Sequence, residues 1–125
     1  MATLKISDLS VGDWVRYDGK EYQVQCVDGL SEIVTLFGYC EQREESAGNL
    51  RSIPITAEIL EKNGFERLLE CDLFYHSESG LEVAFEDGEW MHTINLYEYS
   101  IHTISGVHHI QHLLRLYGCE KEINL

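Results

Sequence analysis

The sequence predicts an α+β protein, with a small N-terminal β-barrel over residues 1–55 and an antiparallel β-meander over residues 56–125 that carries a packed C-terminal helix. Three observations support this. Short β-rich runs in the first half are joined by Gly-bearing turns. The second half continues in alternating strands. One run near the C-terminus, "SGVHHIQHLLRLYG", has the periodicity of an amphipathic helix.

The first hairpin lies in "WVRYDGKEYQVQCVDG", where Asp18-Gly19 favours the positive φ angles of a type I′ turn. Beyond it Tyr22, Val24 and Cys26 alternate with Glu21, Gln23 and Gln25, so the first three are expected to face a core. "EIVTLFG" predicts a third strand. Residues 39–49, "YCEQREESAGN", are polar and read as a mobile loop, after which "LRSIPI" resumes an extended run. This succession resembles SH3-like barrels.

"ITAEILEKNGF" predicts a short helix with both ends written into the chain. Thr56 is the expected N-cap, Ile55 and Leu60 form a hydrophobic staple, Gly64 suits the left-handed C′ position, and Phe65 folds back on Leu60. In the meander, Leu69, Cys71, Leu73 and Tyr75 share one face. Ser79-Gly80 turns into Leu81, Val83 and Phe85, and Asp87-Gly88 turns again into the long run "EWMHTINLYEYSIHTI". There Trp90, His92, Ile94 and Leu96 point one way, and Met91, Thr93, Asn95, Tyr97 and Tyr99 the other. Apolar or aromatic material on both faces predicts a central or partner-covered strand, with His92 as a hydrogen-bonded core histidine. "KEINL" is expected to close the chain as a short edge strand.

At 125 residues, 44% apolar and 25% charged, the chain is long enough for one domain, or two small units sharing a core, without a metal or disulfide. No window approaches the roughly 18 apolar residues of a membrane span, and no basic region precedes an apolar run at the N-terminus; the expectation is a cytoplasmic protein without a membrane partner. Cys26, Cys40, Cys71 and Cys119 form no C-x-x-C pair and are expected to be reduced, half-buried thiols. With 22 acidic against 9 basic residues the net charge is -13. Glu70, Asp72, Glu78, Glu82, Glu86, Asp87, Glu89 and Glu98 fall in a stretch, residues 68–114, that has no Lys or Arg. Phosphate backbones repel such a chain, so direct nucleic-acid binding is not expected. The acids read as a solubilising surface or, more sharply, as a face that docks on a basic protein. No G-x-S-x-G, G-x-G-x-x-G or G-x-x-x-x-G-K-[ST] motif occurs, and no cofactor is expected.

The C-terminal helix carries the most suggestive cluster. At about 100° per residue from Val107, Ile110, Leu113, Leu114 and Tyr117 fall within about 240° to 340° and form one apolar stripe with Val107. His108, His112 and Arg115 fall at about 80° to 140° and Gln111 at about 40°, so this flank is expected to point away from the helix's own core. Ser105 is the expected N-cap and Gly118 the expected C′ residue. His108 and His112 stand four apart and can chelate zinc. A zinc hydrolase of the H-E-x-x-H kind needs Glu directly after the first histidine, and here that residue is His109; a third ligand would have to come from His102, His92 or His76.

Three anchors, "ISDLSVGDWV", "IPITAEILEKNGF" and "VHHIQHLLRLYG", together resemble a group of short uncharacterised proteins from gut anaerobic bacteria, their prophages and mobile elements. Val107, His108, Gln111, His112 and Gly118 carry the last anchor, with Ile110 where the group usually has Leu. The resemblance implies no activity; it draws attention to His108 and Gln111 as paired positions on one helix flank. The function expected from the sequence is a non-enzymatic binding or accessory protein of phage or mobile-element origin. It contacts another protein, or a second copy of itself, through His108, Gln111, His112, Arg115, Trp14, Trp90, Tyr97 and Tyr99. The rivals are a metal-dependent hydrolase centred on His108 and His112, and an acidic DNA-mimic inhibitor whose acids form one face.

Overall fold

A computed structural model describes residues 3–68, 72–93 and 101–125. The chain is α+β, with two antiparallel sheets and a C-terminal helix. It divides into two compact units: Met1–Pro54 with Gly106–His108, and Ile55–Ser105 with His109–Leu125.

The first unit is a four-stranded meander in the order β1-β2-β3-β4, formed by Trp14–Tyr17, Lys20–Asp28, Ile33–Gly38 and Glu41–Ser46. Asp18 and Gly19 have φ of 48° and 75°, the geometry their sequence predicts. In β2 the predicted alternation holds for Tyr22 and Val24, both buried, and then fails: Cys26 is exposed. A register shift between Val24 and Cys26 is the cause, because one extra residue sends the following side chain to the opposite face. Residues 41–46, expected in a loop, form β4, paired with β3 from Gly38↔Glu41 to Ile33↔Ser46. An edge strand rich in charge lacks the apolar alternation by which strands are read. After a 3-10 turn at Ala47–Asn49, Arg51 exchanges backbone hydrogen bonds with Arg16 of β1 at 2.8 and 2.9 Å, and Thr3 bridges Arg51 on its other side. Leu4, Leu9, Val15, Tyr22, Val24, Val34, Leu36, Ala47 and Leu50 form the core.

In the second unit α1 spans Ala57–Lys62, and Thr56 Oγ1 accepts from Ile59 N at 3.1 Å, as its N-cap position predicts. Gly64, with φ of 89°, leads into a strand that the sequence pattern does not announce, β5 (Phe65–Arg67). The sheet order is β5-β6-β7-β8-β9, with β6 at Leu73–His76, β7 at Glu82–Glu86, β8 at Glu89–Thr93 and β9 at Ile101–Thr103. In β6 Phe74 and His76 are buried while Leu73 and Tyr75 are half-buried, the reverse of the expected facing. Phe74 and His76 oppose Arg67 and the buried Phe65, so pairing with the unannounced β5 fixes the face. Of the long run expected as one strand, the two described ends pair with each other: β9 lies antiparallel to β8, with Thr93 opposite Ile101 and Met91 opposite Thr103. Leu69, Cys71, Ile94, Asn95, Leu96, Tyr97 and Tyr99 lie outside the described residues.

The last helix, α2, spans Val107–Leu116 and buries Val107, Ile110, Leu113 and Leu114 as the wheel predicts; Tyr117, beyond its end, is exposed. Gly118, with φ of 81°, donates to Arg115 O at 3.0 Å, and Cys119 N donates to Leu114 O at 2.8 Å, a complete Schellman cap. The helix begins one residue later than Ser105 would place it. No strand forms in "KEINL". Instead the Asn63 side chain donates to Asn124 O and accepts from Asn124 N, both at 2.7 Å, standing in for a strand pairing.

Candidate functional site

The histidine flank of α2 is buried at its start rather than solvated. His108 is 3% exposed and Gln111 5%, while His112 is half-buried and only Arg115 is open to solvent. The reason lies just before the helix. Val107 N donates to Ile53 O at 2.9 Å, and a Cβ placed on Gly106 would stand 2.8 Å from Ser52 Cβ, 3.0 Å from Ile53 O and 3.3 Å from His108 Nδ1. Glycine thus permits a close backbone approach that encloses the first turn, which a helix wheel cannot register. Among the described residues, no third His, Cys, Asp or Glu gathers with His108 and His112 at metal-binding distance. His109 serves locally, since its Nδ1 accepts from Ser105 N at 3.2 Å and its ring meets His92 edge-on at 5.9 Å. His92 is buried on β8, as expected for a core histidine.

The remaining sequence candidates are dispersed. Trp14 is half-buried at the start of β1. Trp90 donates from Nε1 to Ile55 O at 3.0 Å and packs against Phe74 and Phe85, at 5.6 and 5.0 Å between ring centroids. A half-buried indole with its N–H satisfied is scaffold. Tyr97 and Tyr99 fall outside the described residues.

Two other constellations appear that no sequence pattern singles out. In the first unit, Tyr17, Tyr22 and Tyr39 stack edge to face, Tyr22 lying 6.4 Å from Tyr17 and 5.4 Å from Tyr39. The Arg43 guanidinium sits 5.1 Å from the Tyr17 ring centre, and Lys20 Nζ 5.4 Å from that of Tyr39. Arg43 and Glu45 pair with Leu36 and Val34, so both lie on the core-facing side of the edge strand, and they form an ion pair at 3.6 Å. A hydrogen bond to the Glu45 carboxylate raises the Tyr17 phenol above its ordinary pKa, with burial and the carboxylate's charge adding to it. The cluster hangs on the turn between β3 and β4, where Tyr39 and Cys40 take φ of 55° and 60°. This is the positive-φ pair that the β1-β2 and β7-β8 hairpins give to Asp-Gly, here occupied by two residues that adopt it at a cost. Gly38 is also constrained, since a Cβ there would lie 2.8 Å from Tyr22 Cδ1.

In the second unit, His76, Glu78 and Cys119 converge, with one potential ligand atom from each lying within 4.8 Å of the other two. His76 ends β6; its Nδ1 stands 2.8 Å from Ser79 Oγ, which in turn accepts from Leu81 N, so the hairpin turn orients the ring. Its other ring nitrogen borders Gly64, and its face packs on Phe65 at 4.8 Å. Burial lowers the His76 pKa; the nearby Glu78 charge partly opposes this and Lys121 assists it. Cys119 is buried at the end of the α2 Schellman cap, and its Sγ lies 4.0 Å from Glu78 Oε2. Lys121 Nζ donates to Glu78 Oε1, and this contact holds the Glu78 carboxyl below its ordinary pKa. Neither Lys121 nor Arg67, which pairs with Asp72 at 3.2 Å, belongs to the cation-free stretch, yet both return to neutralise acids within it. His76 was a possible third zinc ligand in the sequence, but 43 residues separate it from Cys119, and no local motif joins them.

Comparison with protein-family models, with curated proteins and with solved structures yields no match.

Proposed function

We propose that the chain is a non-enzymatic binding or accessory module of the phage or mobile-element kind, and that its first unit receives a lysine- or arginine-bearing segment of another protein on the Tyr17–Tyr39 rim. The observation that carries this reading is the placement of Arg43 and Lys20 over the Tyr17 and Tyr39 rings. The rings already act as cation acceptors, and Tyr39 is 60% exposed, so an incoming cation can share or take over its face. The net charge of -13 favours a basic partner and speeds its approach. We read this unit as an SH3-like barrel, on the grounds that a four-strand meander and a 3-10 turn are followed by a residue bridging back to β1.

The test uses octalysine as probe and amide chemical shifts as readout. Shifts are expected to concentrate at Tyr17, Lys20, Tyr39 and Glu45. Tyr39→Ala should weaken binding about fivefold, the effect of one exposed cation–π contact of about 1 kcal/mol. Phe37→Ser, on the opposite face of β3, should leave it unchanged. Shifts spread evenly over the acidic residues of both units would mean generic charge attraction and refute the rim as a site.

A further inference from the structure

We infer that His76, Glu78 and Cys119 form a binding site for a divalent transition-metal ion, with zinc as the ion the donor set fits best. The inference does not depend on the protein-binding reading, since it concerns different residues in the other unit. An imidazole nitrogen, a thiolate sulfur and a carboxylate oxygen are the donors zinc accepts, whereas magnesium and calcium require oxygen throughout. Each donor is delivered by a separate piece of local structure. The β6 terminus supplies His76, the hairpin turn supplies Glu78, and the Schellman cap fixes the residue after Gly118, which is Cys119.

The atoms lie within 4.8 Å of one another, and bonds of about 2.0 to 2.3 Å to a tetrahedral ion bring donors to roughly 3.5 Å, a contraction of about 1 Å. Glu78 and Lys121 are the parts able to yield, both being exposed, while His76 and Cys119 are buried and set. Ser79 holds the His76 ring at Nδ1, with its Oγ 2.8 Å away and its backbone N–H donating at 3.3 Å. Lys121 competes for the carboxylate: its ammonium holds Oε1 of Glu78, while Oε2 is the oxygen 4.0 Å from Cys119 Sγ. As the metal–sulfur bond forms, the Cys119 thiol proton passes to solvent. Three protein donors leave the fourth position to water or to a ligand.

Cobalt(II) and then zinc, added to the untagged full-length chain, test this. One equivalent of cobalt should give a thiolate-to-cobalt charge-transfer absorption in the near ultraviolet, which one equivalent of zinc abolishes. Cys119→Ser should remove the band and His76→Gln weaken binding at least tenfold, while His108→Ala/His112→Ala leaves both unchanged. Two exposed substitutions keep the test valid should a buried variant fail to fold: Glu78→Gln should weaken binding about tenfold, and Lys121→Gln should tighten it severalfold by freeing the carboxylate. A band that persists in Cys119→Ser, an affinity indifferent to both Glu78→Gln and Lys121→Gln, or no band at all would overturn the site.

Discussion

The two units treat chemically distinctive side chains in opposite ways. The first displays its aromatic and cationic groups at the rim of a sheet, on a hairpin turn whose two central residues, Tyr39 and Cys40, both take positive φ. The second gathers His76 and Cys119 out of solvent, with capping hydrogen bonds and with glycine at the left-handed positions nearest them, Gly64, Gly80 and Gly118. The proposed docking site is thus an exposed rim, and the proposed ion site a pair of buried donors with one exposed carboxylate. The histidine flank of α2, the most conspicuous feature of the sequence, is neither: its first turn is closed by packing at Gly106.

Four changes would break or sharpen that contrast. The largest effect is expected at Gly106→Val, which drives a side chain into Ser52 and the Ile53 carbonyl; urea unfolding should show a loss of about 3 kcal/mol, and a neutral result would mean that the flank is open after all. Gly118→Ala comes next. Open space surrounds that position, so only the left-handed angle is penalised, by about 1 kcal/mol, and cobalt affinity should fall with it because the cap positions Cys119. In the first unit the double change Tyr39→Asn/Cys40→Gly installs the preferred turn pair. It should stabilise the protein by up to about 1 kcal/mol in the same urea assay while weakening octalysine binding about fivefold, as Tyr39→Ala does; a loss of stability would show that the native pair is not strained.

The smallest effect concerns protonation. The Tyr17 phenol has its pKa raised in the folded state by its bond to Glu45, so the stabilisation from that bond is complete below the ordinary tyrosine pKa of about 10 and is lost as pH rises through the folded value. Glu45→Gln should lower the Tyr17 midpoint in an ultraviolet or NMR titration. An unmoved midpoint would remove Glu45 from the rim.

Much of the scaffold was legible because it is local. Thr56, Gly64 and Gly118 cap their helices where the sequence places them, and Asp18-Gly19 and Asp87-Gly88 form hairpin turns with positive φ at both residues. Legibility ended where the controlling interaction was distant or of unusual composition. β4 was hidden because a charged edge strand has no apolar alternation and a Tyr-Cys turn carries no turn signal. The facing of β6 reversed because β5 chose its register, and Cys26 turned outward at a bulge that no residue type announces.

By itself, then, the sequence determined the fold class, the helix ends, most of the turns and the apolar stripe of α2, since each depends on residues within one or two turns of one another. The tertiary structure alone decided which polar groups meet. His108 and His112 are four residues apart, yet the first is sealed at a glycine contact, whereas His76 and Cys119, far apart in the chain, are brought together with Glu78 by a strand end, a hairpin and a helix cap. Spacing along one helix fixes only which side of that helix a residue occupies; what covers that side is set by other segments of the chain.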